Sequence, residues 1–274
     1  MTNKKIYTFW EPKEKIPGYI KLCMKTWYKF LPDYEIIVLD YSNLQQYLPK
    51  KTYKSVVFKH MSLAKQSDAI RAALLNENGG IWLDADTIIT GSNFLSSIKD
   101  YNTDVVMIGR PKTDGVIYGA FIYSNKQKTK FIKEWYSALP KRIAKYRMMV
   151  KFPILRKIYK KEWNAAEKWD YCENAIIDDL GRKYKYPDFL LIDRDEICAL
   201  PEYVSYLSES ITNKEQLYCK YYFEQGNASE VLIKAKGIIL LHNSWTPEKY
   251  REMDEKKFLE QPILLADILK ELLK

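Results

Sequence analysis

SDAIRAALLNENGGIWLDADTII, residues 67–89, is the stretch from which the fold of this chain is read. Its first half is helical in spacing: Ile70, Ala73 and Leu74 share one face. Ser62, just upstream, can cap such a helix, and Asn78-Gly79 can stop it. The apolar run GIWLDADTII, residues 80–89, then reads as a strand, and it carries Asp84 and Asp86 one residue apart. On an extended chain, residues i and i+2 point the same way. In open α/β sheets, ligands bind beyond the carboxyl ends of the strands. Two carboxylates held that close repel each other unless a cation joins them. A hard divalent ion such as Mg²⁺ or Mn²⁺, bound by few carboxylates, keeps positions open for phosphate oxygens. A polar turn after a strand, with Asp86 as its cap, uses the same residues, and the pair alone does not separate the two meanings.

The surrounding elements place this block in a larger pattern. KKIYTFW is a short strand ending at Trp10, and YIKLCMKTWYKFLP is a helix with Ile20, Cys23, Met24, Trp27 and Phe30 on one side. YEIIVLD is a continuous apolar run, as in a strand buried on both faces. SNLQQYL is a short helix capped by Ser42 or Asn43. DVVMIGR and GVIYGAFIYS are further strands, a long helix starts near Lys126, and another lies around residues 164–180. GIILLHNSW is a late strand, and the tail from residue 255 is helical with a break near Pro262. Strands alternating with helices predict an α/β fold with a mostly parallel central sheet. A single domain over residues 1–274 is expected, with a basic helical insertion at about 126–180 and C-terminal helices at about 247–274.

Composition narrows the class. With 47% hydrophobic and 29% charged residues in 274, the chain can bury a core. No apolar run approaches the roughly 18–20 residues that span a bilayer, and the N-terminus does not read as a signal peptide. Cys23, Cys172, Cys198 and Cys219 are far apart and read as reduced thiols of a cytoplasmic protein. Only His60 and His242 are present, which excludes a histidine-rich metal centre. A histidine ending the apolar strand GIILLH is most often a satisfied structural residue, yet the polar NSW after it suits a cleft mouth. Asp68 and Arg71, three apart on the helix, share a face; as a surface ion pair they would contribute only a few tenths of a kcal/mol.

The block SDAIRAALLNENGGIWLDADTIIT, with IYTFWEP and IPGYIKLCMKTW before it and LLHNSW near the end, resembles DxD glycosyltransferases of the GT-A fold. More narrowly it resembles the bacterial capsular polysaccharide synthesis glycosyltransferases, relatives of the sugar-transferring domains of large clostridial toxins. The resemblance covers roughly the first 90 residues and resumes at LLHNSW. It implies a Rossmann-like GT-A domain using Mn²⁺ or Mg²⁺ and a nucleotide-sugar donor, UDP-glucose or UDP-galactose. It implies transfer of the hexose, with retention, to a hydroxyl of a lipid-linked capsular or exopolysaccharide precursor. By the same resemblance Trp10 stacks near the uracil, while Asp68 and Arg71 hold donor sugar hydroxyls and the diphosphate side. Asp84 touches the ribose or sugar and joins the metal shell. Asp86 is the direct metal ligand, His242 completes the shell, and Ser244 and Trp245 contact the metal or diphosphate. No nucleophile stands out. Asp170, Glu173, Asn174 and Asp178 in WDYCENAIIDD could each face the sugar, but each reads first as solvated helix surface.

The formal charge of +9 is concentrated. From Trp135 to Lys161 there are nine Lys/Arg and no Asp/Glu, interleaved with Met148, Met149, Val150, Phe152, Ile154, Ile158 and Tyr159. Such a segment suits either an anionic bilayer surface, on the inner face of the plasma membrane, or a basic helix packed by its apolar side. The rival to the transferase is a basic metal-dependent nucleic-acid-processing protein, with the carboxylate pair at a phosphodiester. Two-metal nucleases need further acids near their first strands, where this chain has Trp10, so no nucleic-acid partner is expected.

Overall fold

The helix Leu63–Asn78 forms where its apolar face and end signals place it. Ser62 accepts from the Lys65 N–H at one end, and Gly79, at φ 65°, closes the other. A Cβ on Gly79 would come within 2.8 Å of the Lys126 backbone, so both φ and space require glycine. The computed structural model describes residues 4–93, 95, 98, 102–112, 115–197 and 213–274; Cys198 lies outside them. Eight strands occur among the described residues: β1 Lys5–Phe9, β2 Glu35–Leu39, β3 Gly80–Leu83, β4 Thr87–Ile89, β5 Val105–Gly109, β6 Ile117–Ser124, β7 Leu190–Asp193 and β8 Ile238–Leu240. The chain forms two compact units interleaved along the sequence. The first takes Met1–Glu11, Ile37–Leu83 and Asn102–Ile192, and the second Pro12–Ile36, Asp84–Tyr101 and Asp193–Lys274.

The first unit is an α/β layer built on a six-stranded sheet of order β2-β1-β3-β6-β5-β7. β1 runs parallel to β3, with Ile6 opposite Ile81. β6 runs antiparallel to both β3 and β5. Strands β5 and β6 are joined by too few residues for the crossover that a parallel pair needs. The helices Leu63–Asn78 and Lys130–Lys151 pack together beside this sheet, burying Tyr7, Leu74, Trp82, Val105, Ile122 and Trp135. The long helix begins at Lys130 rather than near Lys126. Residues 125–128 turn instead, with Lys128 at φ 53° and its N–H on the Asn76 carbonyl. The helix expected around 164–180 is three pieces: Lys160–Glu167, a 3₁₀ turn at Trp169–Cys172, and Asn174–Lys183.

In the second unit, the helix Gly18–Phe30 packs on β4 and on the helices Glu255–Leu259 and Leu264–Leu273. The gap between those last two helices falls at the expected break near Pro262. β4 pairs antiparallel with β8, Thr87 opposite Leu240. The Trp27 indole donates to the Thr87 carbonyl at 2.6 Å, and Thr26 Oγ1 accepts from the Ile89 N–H at 2.9 Å. GIWLDADTII is therefore not one strand. It divides into β3 and β4, and Asp84-Ala85-Asp86 is a turn closed by the Thr87 N–H on the Asp84 carbonyl at 3.0 Å. The i, i+2 alternation of an extended chain does not apply to the two aspartates; the turn preference of Asp overrides it.

Candidate active site

In the first unit the polar side of the helix Leu63–Asn78 is buried, not solvated. Arg71 Nη1 donates to the Gly119 carbonyl at 2.6 Å and to Glu173 Oε1 at 2.9 Å. Its Nη2 lies 3.2 Å from Asp68 Oδ1, and the guanidinium sits 5.1 Å from the Trp82 ring centroid. Arg71, Asp68 and Glu173 are all within 6% of full burial. The surface-pair reading of Asp68 and Arg71 is thus corrected, as is the solvated reading of Glu173. Asn174 and Asp178 are used at the start of β6: Asn174 donates to the Ile117 carbonyl at 2.7 Å, and Asp178 accepts from the Ile117 N–H at 3.2 Å. Lys65, also buried, donates to the Ala166 and Glu167 carbonyls. Burial pushes the Cys172 thiol up to about 12, with the Asp68 charge adding and the Lys65 ammonium opposing.

Trp10 lies half-buried just past β1, its N–H on the Leu39 carbonyl at 2.9 Å. The next residue, Glu11, accepts from the Tyr41 N–H at 2.8 Å, and the Tyr41 hydroxyl donates to Gln66. The Lys59 ammonium stands 4.3 Å from the Tyr41 ring centroid. An aromatic, polar patch therefore sits at the strand ends where α/β sheets place ligands.

The second unit brings the aspartate turn to the HNSW segment. Asp86 Oδ2 accepts from the Asn243 N–H at 2.8 Å, across 157 positions of sequence. The Leu241 N–H reaches the Asp86 carbonyl, extending the β4–β8 pairing. The His242 and Trp245 rings lie 4.1 Å apart, and Tyr218 meets both edge-on. The His242 N–H donates to the Tyr218 hydroxyl at 3.2 Å, and the Tyr19 hydroxyl donates to Asn243 Oδ1. Ser244 is exposed beside them. Burial lowers the His242 imidazole to about 4, opposed only in part by the Asp84 charge, so it is neutral at pH 7. Burial and then Asp86 push the Tyr19 phenol well above its ordinary range.

The sequence profile of a family described as capsular polysaccharide synthesis protein matches residues 1–186, well over half of the chain. The chain belongs to that family. The matched span holds Trp10, Asp68, Arg71, Asp84, Asp86 and Glu173, and stops short of His242. No curated protein matches it. Among solved structures, it is similar to a glycosyltransferase involved in glycosylation of the major capsid of PBCV-1, at 13% identity and TM-score 0.48, over 90% of this chain and 97% of that one. The galactosyltransferase LgtC with donor and acceptor sugar analogs matches at 11% and 0.44, over 96% and 95%. The glycosyltransferase GlyE of Streptococcus pneumoniae TIGR4 matches at 14% and 0.42, over 99% and 63%.

Asp84, Asp86 and His242 carry donor groups of the kind a hard divalent ion takes. Two carboxylates offer oxygens, and an imidazole kept neutral by burial offers a nitrogen lone pair at neutral pH. Among the described residues, no three acidic, histidine or cysteine side chains are already gathered around one point. Reading residues alone misses Gly119, Lys65, Asn243, Tyr218 and Tyr19. Asn243 lies inside the quoted HNSW block and could have been singled out there. Gly119, Lys65, Tyr218 and Tyr19 owe their roles to partners remote in sequence, and carry no local signal.

Proposed function

We propose that this protein is a metal-dependent glycosyltransferase that moves a hexose from a nucleotide-sugar to a hydroxyl of a capsular or exopolysaccharide precursor, with retention. UDP-glucose or UDP-galactose is the donor, and the acceptor is a lipid-linked saccharide presented at the inner face of the plasma membrane. The observation that carries the reading is the hydrogen bond from the Asn243 N–H to Asp86. It joins, within one compact unit, the two motif blocks that the resemblance requires to act together.

Asp84, Asp86 and His242 would hold Mn²⁺ or Mg²⁺. Once bound, the ion would offset the negative charge that builds on the departing diphosphate. Asp86 would act through a carboxylate already oriented by a backbone N–H, and His242 through a nitrogen that needs no deprotonation. Ser244 and Trp245 would contact the ion or the diphosphate, and Asp84 the ribose or sugar. In the first unit, Trp10 would stack near the uracil. Asp68 and Arg71 would serve the sugar hydroxyls and the diphosphate side, with Glu173 and the Gly119 carbonyl fixing the guanidinium. No side chain is assigned as nucleophile; retention would come from attack on the same face that the diphosphate leaves.

Calorimetry of UDP binding with Mn²⁺ and with chelator tests the reading. Binding should tighten by roughly tenfold or more with the ion, about 1.4 kcal/mol. Asp86→Asn should abolish that difference without shifting the thermal melt. Equal binding with and without metal would overturn the metal role, and a nucleotide-sugar hydrolysis panel would name the donor.

A further inference from the structure

The helix Lys130–Lys151 and the short helices Ile154–Ile158 and Lys160–Glu167 after it carry a tip to which no role in donor chemistry is assigned. Ten large hydrophobic side chains are exposed among the described residues, and five of them lie between positions 148 and 159. They are Met148, Phe152, Ile154, Ile158 and Tyr159, at 52, 49, 61, 64 and 42% exposure. A basic helix packed by its apolar side would have hidden them.

The structure also sorts the cations. Arg142 donates to the Tyr171 and Ala175 carbonyls, Arg147 to those of Lys54 and Val57, and Arg156 to those of Met149 and Val150. These arginines act as staples. Lys151, Lys157, Lys160 and Lys161 are exposed among the apolar side chains, and the sequence from Trp135 to Lys161 holds no acid.

We propose that this tip docks on an anionic lipid bilayer, with Met148, Phe152, Ile154 and Ile158 entering the headgroup boundary and the four lysines meeting lipid phosphates. Charge decides the partner. A second copy would set identical lysine-rich patches against each other, the nearest acids in sequence being Glu162 and Glu167. A nucleic acid would reward the lysines but offer nothing to exposed isoleucines. A bilayer takes both, since apolar side chains and cations together define a surface-seeking element. The membrane location rests on the proposed function, but the test reads vesicles rather than turnover, so the two can fail separately.

The full chain is sedimented with vesicles of neutral phosphatidylcholine and of phosphatidylcholine with phosphatidylglycerol. Binding should be strong on the anionic vesicles and weak on the neutral ones. It should fall as salt rises from about 0.1 to about 1 M and the Debye length shrinks from roughly 10 to roughly 3 Å. Each cation near such a surface contributes roughly fivefold, so changing Lys151, Lys157, Lys160 and Lys161 to Gln should weaken binding by roughly several hundredfold. Ile154→Glu with Ile158→Glu should also release the protein, and both variants should melt and hydrolyse nucleotide-sugar like the parent. Equal sedimentation with both vesicles, retention by the lysine variant, preference for a short DNA or RNA, or a dimer dissolved by the isoleucine variant would each overturn the proposal. Lost hydrolysis in a well-folded variant would also overturn it, by placing the tip at the reacting centre.

Discussion

Removal of Arg71 should cost the fold several kcal/mol. Its guanidinium joins a strand carbonyl and two buried carboxylates. Truncation would take a counterion from the buried carboxylates of Asp68 and Glu173. Breaking such a pair costs about 3–5 kcal/mol, a fall in Tm of roughly 10 °C for a chain of this size. Arg71→Ala should therefore show as a lower melt first, and an unchanged melt would remove the network from the account of stability. The same burial makes loss of activity in that variant ambiguous. Arg71→Lys, assayed well below its melting temperature, separates positioning from folding, because it keeps one charge but not the forked contacts. At Gly119 an added Cβ would collide with Glu173 and Arg71, so Gly119→Ala should cost at least the roughly 1–3 kcal/mol of an overpacked core, read in the same melt. Cys172 should resist alkylation in the native protein. With its thiol near 12, only roughly one in ten thousand is thiolate at pH 8. Iodoacetamide followed by peptide mass analysis should label it only after denaturant is added.

At the scale of elements, the sequence is legible wherever one period rules. The helix Leu63–Asn78, the tail broken near Pro262, and strands β1, β2 and β5 follow from apolar spacing and end signals, but β2 ends the sheet and buries alternate residues rather than both faces. Legibility fails where a short polar cluster competes with that spacing. Asp84-Ala85-Asp86 turns inside an apolar run, residues 125–128 turn before the long helix, and Trp169–Cys172 tightens to 3₁₀ inside an expected helix. The candidate site shows the same division. Asp86 and HNSW stand out as a block, but Glu173 reads as helix surface because the burial of one carboxylate depends on an arginine 102 positions away. The Ser62 cap follows from the sequence, whereas Asn43 makes no side-chain cap bond to the turn Leu44–Gln46; caps are testable. Asp254 accepts from the Lys257 N–H at 2.8 Å at the start of the helix Glu255–Leu259. Asp254→Ala should cost about 1 kcal/mol in a denaturant titration, whereas a change within error would make that cap irrelevant.

Over the whole molecule, connectivity limits what can be cut. Neither compact unit is continuous in sequence, and the family match ends at residue 186 while β4, inside it, pairs with β8 at 238–240. A fragment of residues 1–186 would leave Thr87, Ile88 and Ile89, all buried in the full chain, without that partner strand. A C-terminal fragment, residues 193–274, would lose the helix Gly18–Phe30, against which Glu255–Leu259 and Leu264–Leu273 pack. Leu265, Ile268 and Leu269 are fully buried in the full chain. Each such side chain exposed costs roughly 1.5–3 kcal/mol, and a few of them equal the roughly 5–15 kcal/mol that holds an ordinary domain together. Residues 193–274 alone should therefore give no cooperative melt and should bind a hydrophobic dye, while the full chain melts sharply. A sharp transition for that fragment, with amide protection across Leu264–Leu273, would mean that the second unit does not need the segments contributed from upstream.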